Sequence, residues 1–280
     1  MFKTLIDPAT LSQHLAKPDW VIVDCRFDLT DPARGEQLYL ESHIPGARYA
    51  HLDRDLAGTK TGKNGRHPLP TPAQMEERFG ALGIGPGVQV VAYDADSGMY
   101  AARLWWMLRF MGHDPAAVLD GGFAAWLRAG HDVSGGRELW SSATFSGEPQ
   151  EHWRVHVTDV AERLGDRRRV LIDSRAAARF RGESETLDKV AGHIPGARNH
   201  FFQNNLTDEK TFKTADELRT DWQSTLGNAP VPDAVIYCGS GVTACHNLLA
   251  LEHAGLHGAR LYPGSWSEWC ADPRRPVETG

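Results

Sequence analysis

Four segments from the first half of this 280-residue chain recur in the second half, in the same order. Val21-Ile22-Val23-Asp24-Cys25-Arg26 parallels Val170-Leu171-Ile172-Asp173-Ser174-Arg175, and His43-Ile44-Pro45-Gly46-Ala47-Arg48 returns unchanged from His193 to Arg198. Val90-Val91-Ala92-Tyr93-Asp94 parallels Ala234-Val235-Ile236-Tyr237-Cys238. Leu119-Asp120-Gly121-Gly122-Phe123 to Trp126 is matched by Leu261-Tyr262-Pro263-Gly264-Ser265-Trp266 to Trp269. A spacing of about 143 to 150 residues is far too long for a solenoid and suits a duplicated domain. The polar, Gly/Ser-rich stretch 132–150 has no clear periodicity and should hold the connection. The expected division is a first domain over 1–135, a linker over 136–152 and a second domain over 153–280.

Within each copy, short apolar runs alternate with helical patterns. Helical segments at 10–15 and 157–164 precede buried strands at 21–23 and 170–172. Those at 71–79 and 214–226 precede the central strands 88–93 and 234–237, and apolar helical patterns at 101–111 and 244–253 follow them. Such alternation implies an α/β fold in which each copy is a mainly parallel sheet flanked by helices. Ligands then bind beyond the carboxyl ends of the strands.

Composition narrows the function classes. Hydrophobic content of 41% and charged content of 24% are ordinary for a globular protein, and a net charge of -6 gives no reason to expect nucleic acid or an anionic membrane as a partner. No apolar run approaches the ~18 residues needed to span a bilayer, and the start, Met1-Phe2-Lys3-Thr4, lacks a signal peptide's apolar stretch. A cytoplasmic protein is expected. Cys25, Cys238, Cys245 and Cys270 form no C-x-x-C pair, and the 13 histidines show no H-x-x-x-H or H-E-x-x-H spacing. Reduced thiols, no metal site and no cofactor are the expectation.

At Val235-Ile236-Tyr237-Cys238-Gly239-Ser240-Gly241-Val242-Thr243-Ala244 an apolar strand ends on a cysteine, a Gly-x-Gly turn follows, and a helix starts near Thr243. Backbone N–H groups at a tight turn and the positive end of a helix both favour an anion, so Cys238 should be a stabilised thiolate nucleophile. Gly239 and Gly241 let the turn curl. The loop Cys-Gly-Ser-Gly-Val-Thr-Ala resembles the active-site loop of the rhodanese superfamily of tandem-domain sulfurtransferases, in its mercaptopyruvate branch. The His-Ile-Pro-Gly-Ala segments and the glycines before Trp126 and Trp266 also resemble that family, but as fold markers: Pro-Gly makes a turn and the Trp packs a helix.

The corresponding loop of the first half is Asp94-Ala95-Asp96-Ser97-Gly98-Met99. It has no thiol, and two carboxylates would repel an incoming anion. The first copy is therefore expected to be inactive, with its Asp capping a helix N-terminus. A Cys-based phosphatase needs an Arg closing its loop, and none lies between Cys238 and Ala244. A sulfane sulfur suits a compact neutral loop better. Thiolate attack on it gives a Cys238 persulfide, which a second nucleophile then discharges.

The resemblance implies 3-mercaptopyruvate as donor, because the thiosulfate branch carries basic residues where Gly239 and Ser240 stand; thiosulfate is the alternative donor. It implies that Ser240 acts with His67 and Asp53 on the donor, and that Arg179 binds the donor carboxylate, with Gly239, Gly241, Val242 and Thr243 forming the binding loop. A guanidinium suits that task because it is a planar two-pronged donor. Mercaptopyruvate enzymes carry a second arginine shortly afterwards; Thr186-Leu187-Asp188-Lys189 has none, which leaves Arg181 or Lys189 as substitutes. A thiol such as a thioredoxin-like protein is the implied acceptor. A persulfide carrier without a small-molecule donor is the reading from another class, and an open site lacking a carboxylate clamp would favour it. Cys245, Trp105, Trp106 and Met107 read as core.

Overall fold

The computed structural model describes residues 1–166 and 168–280. They fall into two compact units: Met1–Gly58, Pro70–Gln150 and Asp208–Phe212 form the first, and Thr59–Leu69, Glu151–Thr207 and Lys213–Gly280 the second. The first holds five parallel strands, β1 (Leu5–Ile6), β2 (Trp20–Asp24), β3 (Arg48–Tyr49), β4 (Gln89–Tyr93) and β5 (Ala116–Leu119), in the order β1-β5-β4-β2-β3. The second holds β6 (Val170–Asp173), β7 (Arg198–Asn199), β8 (Ala234–Tyr237) and β9 (Arg260–Leu261), also parallel, in the order β7-β6-β8-β9. Read from the other edge, that is the order of the first sheet without β1. Arg154, bridged in parallel to Leu261, takes the place of β1. The α/β fold with two parallel sheets flanked by helices is as expected.

The local reasons are in the residues. β4 and β8 are buried along their whole length, and a parallel strand covered on both faces needs an uninterrupted apolar run. The helices Pro72–Ala81 and Ala215–Leu226 each start with a capping box, Thr71 with Gln74 and Thr214 with Glu217. The helices Ala101–Phe110 and Thr243–His253, which follow the central strands, are almost entirely buried. Trp105, Trp106 and Met107 lie in the first core and Cys245 in the second. The stretch 136–150 contains no helix or strand and packs on the first unit, where Phe145 meets Phe79 edge-on at 5.1 Å.

Both sheets carry the same polar lock. Arg26 Nη2 donates to Asp24 Oδ2 at 2.6 Å and to Ser42 O at 2.6 Å; Arg175 Nη2 donates to Asp173 Oδ2 at 2.7 Å and to Gly192 O at 2.7 Å. Tyr93, the last residue of β4, donates to Asp24 Oδ2 at 2.8 Å and accepts the Ile44 N–H at 3.2 Å. Tyr237, last in β8, accepts the Ile194 N–H at 3.2 Å. Burial, reinforced by Asp173, pushes its hydroxyl well above the usual tyrosine range. The repeated His-Ile-Pro-Gly segment thus hooks its isoleucine N–H onto the tyrosine at the end of the central strand, a contact beyond the turn expected of its Pro-Gly.

Because Asp24 and Arg26 are both buried, removing one partner strands the other's charge. Arg26→Leu is expected to lower the unfolding free energy by about 3–5 kcal/mol. Urea unfolding followed by tryptophan fluorescence checks this; a loss under about 1 kcal/mol, the scale of a surface pair, would show that the lock is not structural.

Candidate active site

Cys238 is the first residue past β8 and is only 2% exposed. Its loop is tied to the short helix Ser265–Trp269: the Trp266 N–H donates to Cys238 O at 3.0 Å and the Ser267 N–H to Gly239 O at 2.9 Å. The Gly241 N–H points back at the sulfur, 3.2 Å from Cys238 Sγ. Gly241 has φ +77°, and a Cβ there would stand 2.2 Å from Pro263 O, so only glycine fits the turn. Val242 is buried at the entry to the 11-residue helix Thr243–His253, whose N-terminal end favours a negative sulfur.

A second backbone constraint lies beneath the thiol. Ser265 adopts φ +57°, a conformation unusual for a non-glycine residue. Its hydroxyl accepts the Cys238 N–H at 3.1 Å and donates to Tyr262 O at 2.9 Å. A glycine would relieve the backbone but leave the Cys238 N–H without this acceptor, and a buried unpaired N–H costs about 1–3 kcal/mol. Strain of this kind gathers at functional sites.

Ser240 and His67 come together: His67 Nδ1 lies 2.8 Å from Ser240 Oγ, with both side chains buried. Although His67 lies in the first half of the sequence, its segment Thr59–Leu69 belongs to the second unit. Ser267 fixes it there, since its hydroxyl accepts the Arg66 N–H at 3.0 Å. Asp53 lies in the first unit, where its N–H donates to His51 Nδ1 at 3.1 Å.

Two guanidinium groups stand against the loop. A Cβ built on Gly239 would be 2.8 Å from Arg66 Nη2 and 3.5 and 3.6 Å from Arg179 Nη1 and Nη2. The resemblance implies a donor-binding role for Arg179; Arg66 is not among the residues it implies. Of the two cations considered as a second arginine's substitute, Arg181 pairs with the exposed Glu183 at 2.7 Å and Lys189 is exposed. The signal for Arg66 was its position, directly before His67 in a segment stiffened by Pro68 and Pro70.

Both arginines are held by carboxylates of the following loop. Arg179 Nη2 lies 2.7 and 2.9 Å from the two oxygens of Glu185, and Arg66 pairs with Asp188. Burial raises the Glu185 carboxyl, but Arg179 and the N–H groups of Leu187 and Asp188 outweigh it and hold the group below its ordinary range.

In the first unit the loop is built on the same frame, with the Phe123 N–H on Asp94 O and the Ala124 N–H on Ala95 O, both at 2.9 Å. Asp94 takes the position of the cysteine. Its buried carboxylate accepts the N–H groups of Gly98, Tyr100 and Ala101 at 2.8, 2.7 and 3.1 Å. Burial pushes that carboxyl up, against the pull of those three donors. The side chain consumes the anion-binding N–H groups itself.

The other thiols are placed differently. Burial holds the Cys25 thiol well above its ordinary range and that of Cys270 up to about 11. Cys245 Sγ lies on Gly241 O at 3.3 Å. Among the described residues no group of three or more His, Cys, Asp or Glu side chains could hold a metal ion, and no helix is long and apolar enough to cross a membrane.

Comparison with known proteins agrees with this architecture. The family described as the rhodanese-like domain matches residues 7–129 and again 156–272. A Pseudomonas aeruginosa protein named "Probable 3-mercaptopyruvate sulfurtransferase" is 46% identical over 278 residues, covering 99% of this chain and 98% of that one. The thiosulfate sulfurtransferase of Rattus norvegicus is 33% identical over 288 residues, covering 100% and 95%. The structure of 3-mercaptopyruvate sulfurtransferase from Leishmania major superposes with a TM-score of 0.87 at 34% identity, covering 98% of this chain and 75% of that one. The chain belongs to the rhodanese-like domain family and carries two copies of the domain in tandem.

Proposed function

We propose that the chain is a sulfurtransferase that moves sulfane sulfur from 3-mercaptopyruvate to a thiol or cyanide, with chemistry confined to the second rhodanese-like domain. The observation that carries this reading is the placement of Arg66 and Arg179 against Gly239, beside a loop with no basic residue of its own. Two guanidinium groups next to the nucleophile suit a donor carboxylate, which they can bind through paired N–H groups. They also argue against a carrier with no small-molecule donor.

In the proposed reaction the Cys238 thiolate attacks the donor's sulfur. The bond between that sulfur and C3 breaks, its electron pair forms the enolate of pyruvate, and protonation at C3 completes the product. The Gly241 N–H steadies the thiolate before attack. Ser240 and His67, already in contact, hydrogen-bond the donor's carbonyl oxygen as it gains enolate charge. Asp53 is assigned its part on family resemblance alone. An acceptor thiolate then attacks the outer sulfur of the persulfide, forming a new S–S bond and releasing the Cys238 thiolate. A thioredoxin-like protein is a fitting acceptor, and the four free cysteines fit a reducing compartment such as the cytoplasm. Thiosulfate is the second reading: the same pair of arginines can meet a dianion, and the relative from Rattus norvegicus bears that name.

Cys238→Ser is expected to abolish turnover of 3-mercaptopyruvate with cyanide while the circular dichroism spectrum stays unchanged; retained activity would remove Cys238 from the mechanism. Arg66→Ala and Arg179→Ala should each raise KM for 3-mercaptopyruvate about tenfold or more, the loss of a charged hydrogen bond. Arg181→Ala should leave it within about twofold, as for an exposed pair. Steady-state kinetics of the three variants decide this, and an Arg66 variant indistinguishable from the Arg181 variant would exclude Arg66 from the clamp.

A further inference from the structure

The clamp is already occupied. Arg66 and Arg179 bring two positive charges to Gly239, and Glu185 and Asp188 bring two negative ones. The two carboxylates are held unequally. Glu185 meets Arg179 with both oxygens, reaches Arg175 at 3.2 Å, and accepts the N–H groups of Leu187 and Asp188. Asp188 is held by Arg66 through Oδ1 alone. Among the described residues its Oδ2 is buried with no hydrogen-bond partner, and it stands 3.6 Å from Arg179 Nη2, too far for a hydrogen bond. Its side chain is 6% exposed and lies in a stretch with no helix or strand. A carboxylate buried between two guanidinium groups beside the nucleophile's loop, with one oxygen unsatisfied, sits where a donor's own anionic group would bind.

We propose that Asp188 is a specificity-determining residue, a resident carboxylate that the donor displaces from between Arg66 and Arg179 and whose charge disfavours dianionic donors. The inference rests on the reading of this site as one for small anionic sulfur donors. Coulomb energy scales with the product of the charges, so one negative charge near the clamp weighs twice as heavily, in free energy, against a dianion as against a monoanion. Replacing Asp188 by the isosteric asparagine then multiplies affinity for a monoanion by some factor and for a dianion by about its square. With screening by salt the expected gains are about threefold for a monoanion and about tenfold for a dianion. Asp188 in this way favours 3-mercaptopyruvate over thiosulfate although the arginines would accept either.

The test measures dissociation constants of pyruvate and thiosulfate by titration calorimetry in the Cys238→Ser protein, alone and combined with Asp188→Asn or Asp188→Glu. It is paired with kcat/KM for 3-mercaptopyruvate and thiosulfate in the same Asp188 variants carrying Cys238. Asp188→Asn should tighten thiosulfate about tenfold and pyruvate about threefold, shift kcat/KM towards thiosulfate by a similar ratio, and lose much of the difference at high salt. Asp188→Glu, which keeps the charge, should keep the original ratio. Equal gains for both anions, weaker binding of both, or no binding of either by any variant would overturn the proposal. Failure of the parent chain to turn over either donor would instead strike at the sulfurtransferase reading, and the binding comparison would still decide the role of Asp188.

Discussion

Two backbone hydrogen bonds, from Trp266 to Cys238 O and from Ser267 to Gly239 O, fix where the thiol stands, and the rest of the site depends on them. They tie the loop after the central strand to the short helix after the edge strand β9. The turn at Gly241 can then fold under Pro263, and the Gly241 N–H can meet the sulfur. The strained backbone of Ser265 belongs to the same constraint, because only there does its hydroxyl take the Cys238 N–H. Beneath the loop, Tyr237, Asp173 and Arg175 hold the end of β8 by buried polar contacts that a sheet of this kind cannot leave half made.

The first unit shows that the frame alone does not set the chemistry. The same two hydrogen bonds recur at Asp94 and Ala95, and Tyr93, Asp24 and Arg26 repeat the lock. A carboxylate in place of the sulfur draws three backbone N–H groups onto itself and leaves them nothing to offer a ligand. In the second unit the sulfur accepts the Gly241 N–H, which steadies negative charge on it. The duplicated domain therefore holds one loop whose own carboxylate takes its N–H groups and one that carries a thiol in the same position.

Much of this was legible in the sequence, and the reasons are specific. The order of strands and helices followed from buried parallel strands, which write themselves as apolar runs such as Val90 to Tyr93 and Ala234 to Tyr237, and from capping residues such as Thr71 and Thr214. Cys238 stood out because a strand end, two glycines and a helix start are all local in sequence. Arg66 was less legible: only its place directly before His67 pointed to it, and its partner Asp188 is 122 residues away, a contact that no spacing rule reports. Nor could the sequence tell that Thr59–Leu69, lying within the first repeat, packs in the second unit.

Ser267 explains why that distant segment can matter to chemistry at Cys238. Its backbone N–H holds Gly239 O, and its hydroxyl accepts the Arg66 N–H. One residue thus anchors both the loop that presents Cys238 and the segment that presents Arg66 and His67. Gly65, at φ +88°, lets that segment pass so close to Gly264 that a Cβ would lie 2.8 Å from its carbonyl. Arg66 and His67 are neighbours in sequence, so a cation at Gly239 and an imidazole at Ser240 arrive as one unit, with their mutual spacing set by a single peptide link. In the proposed reaction, a site assembled this way would keep the donor's anionic end and its carbonyl end in register with the sulfur through backbone geometry, and would leave the balance of charge between Arg66, Arg179 and Asp188 as the element free to vary donor preference.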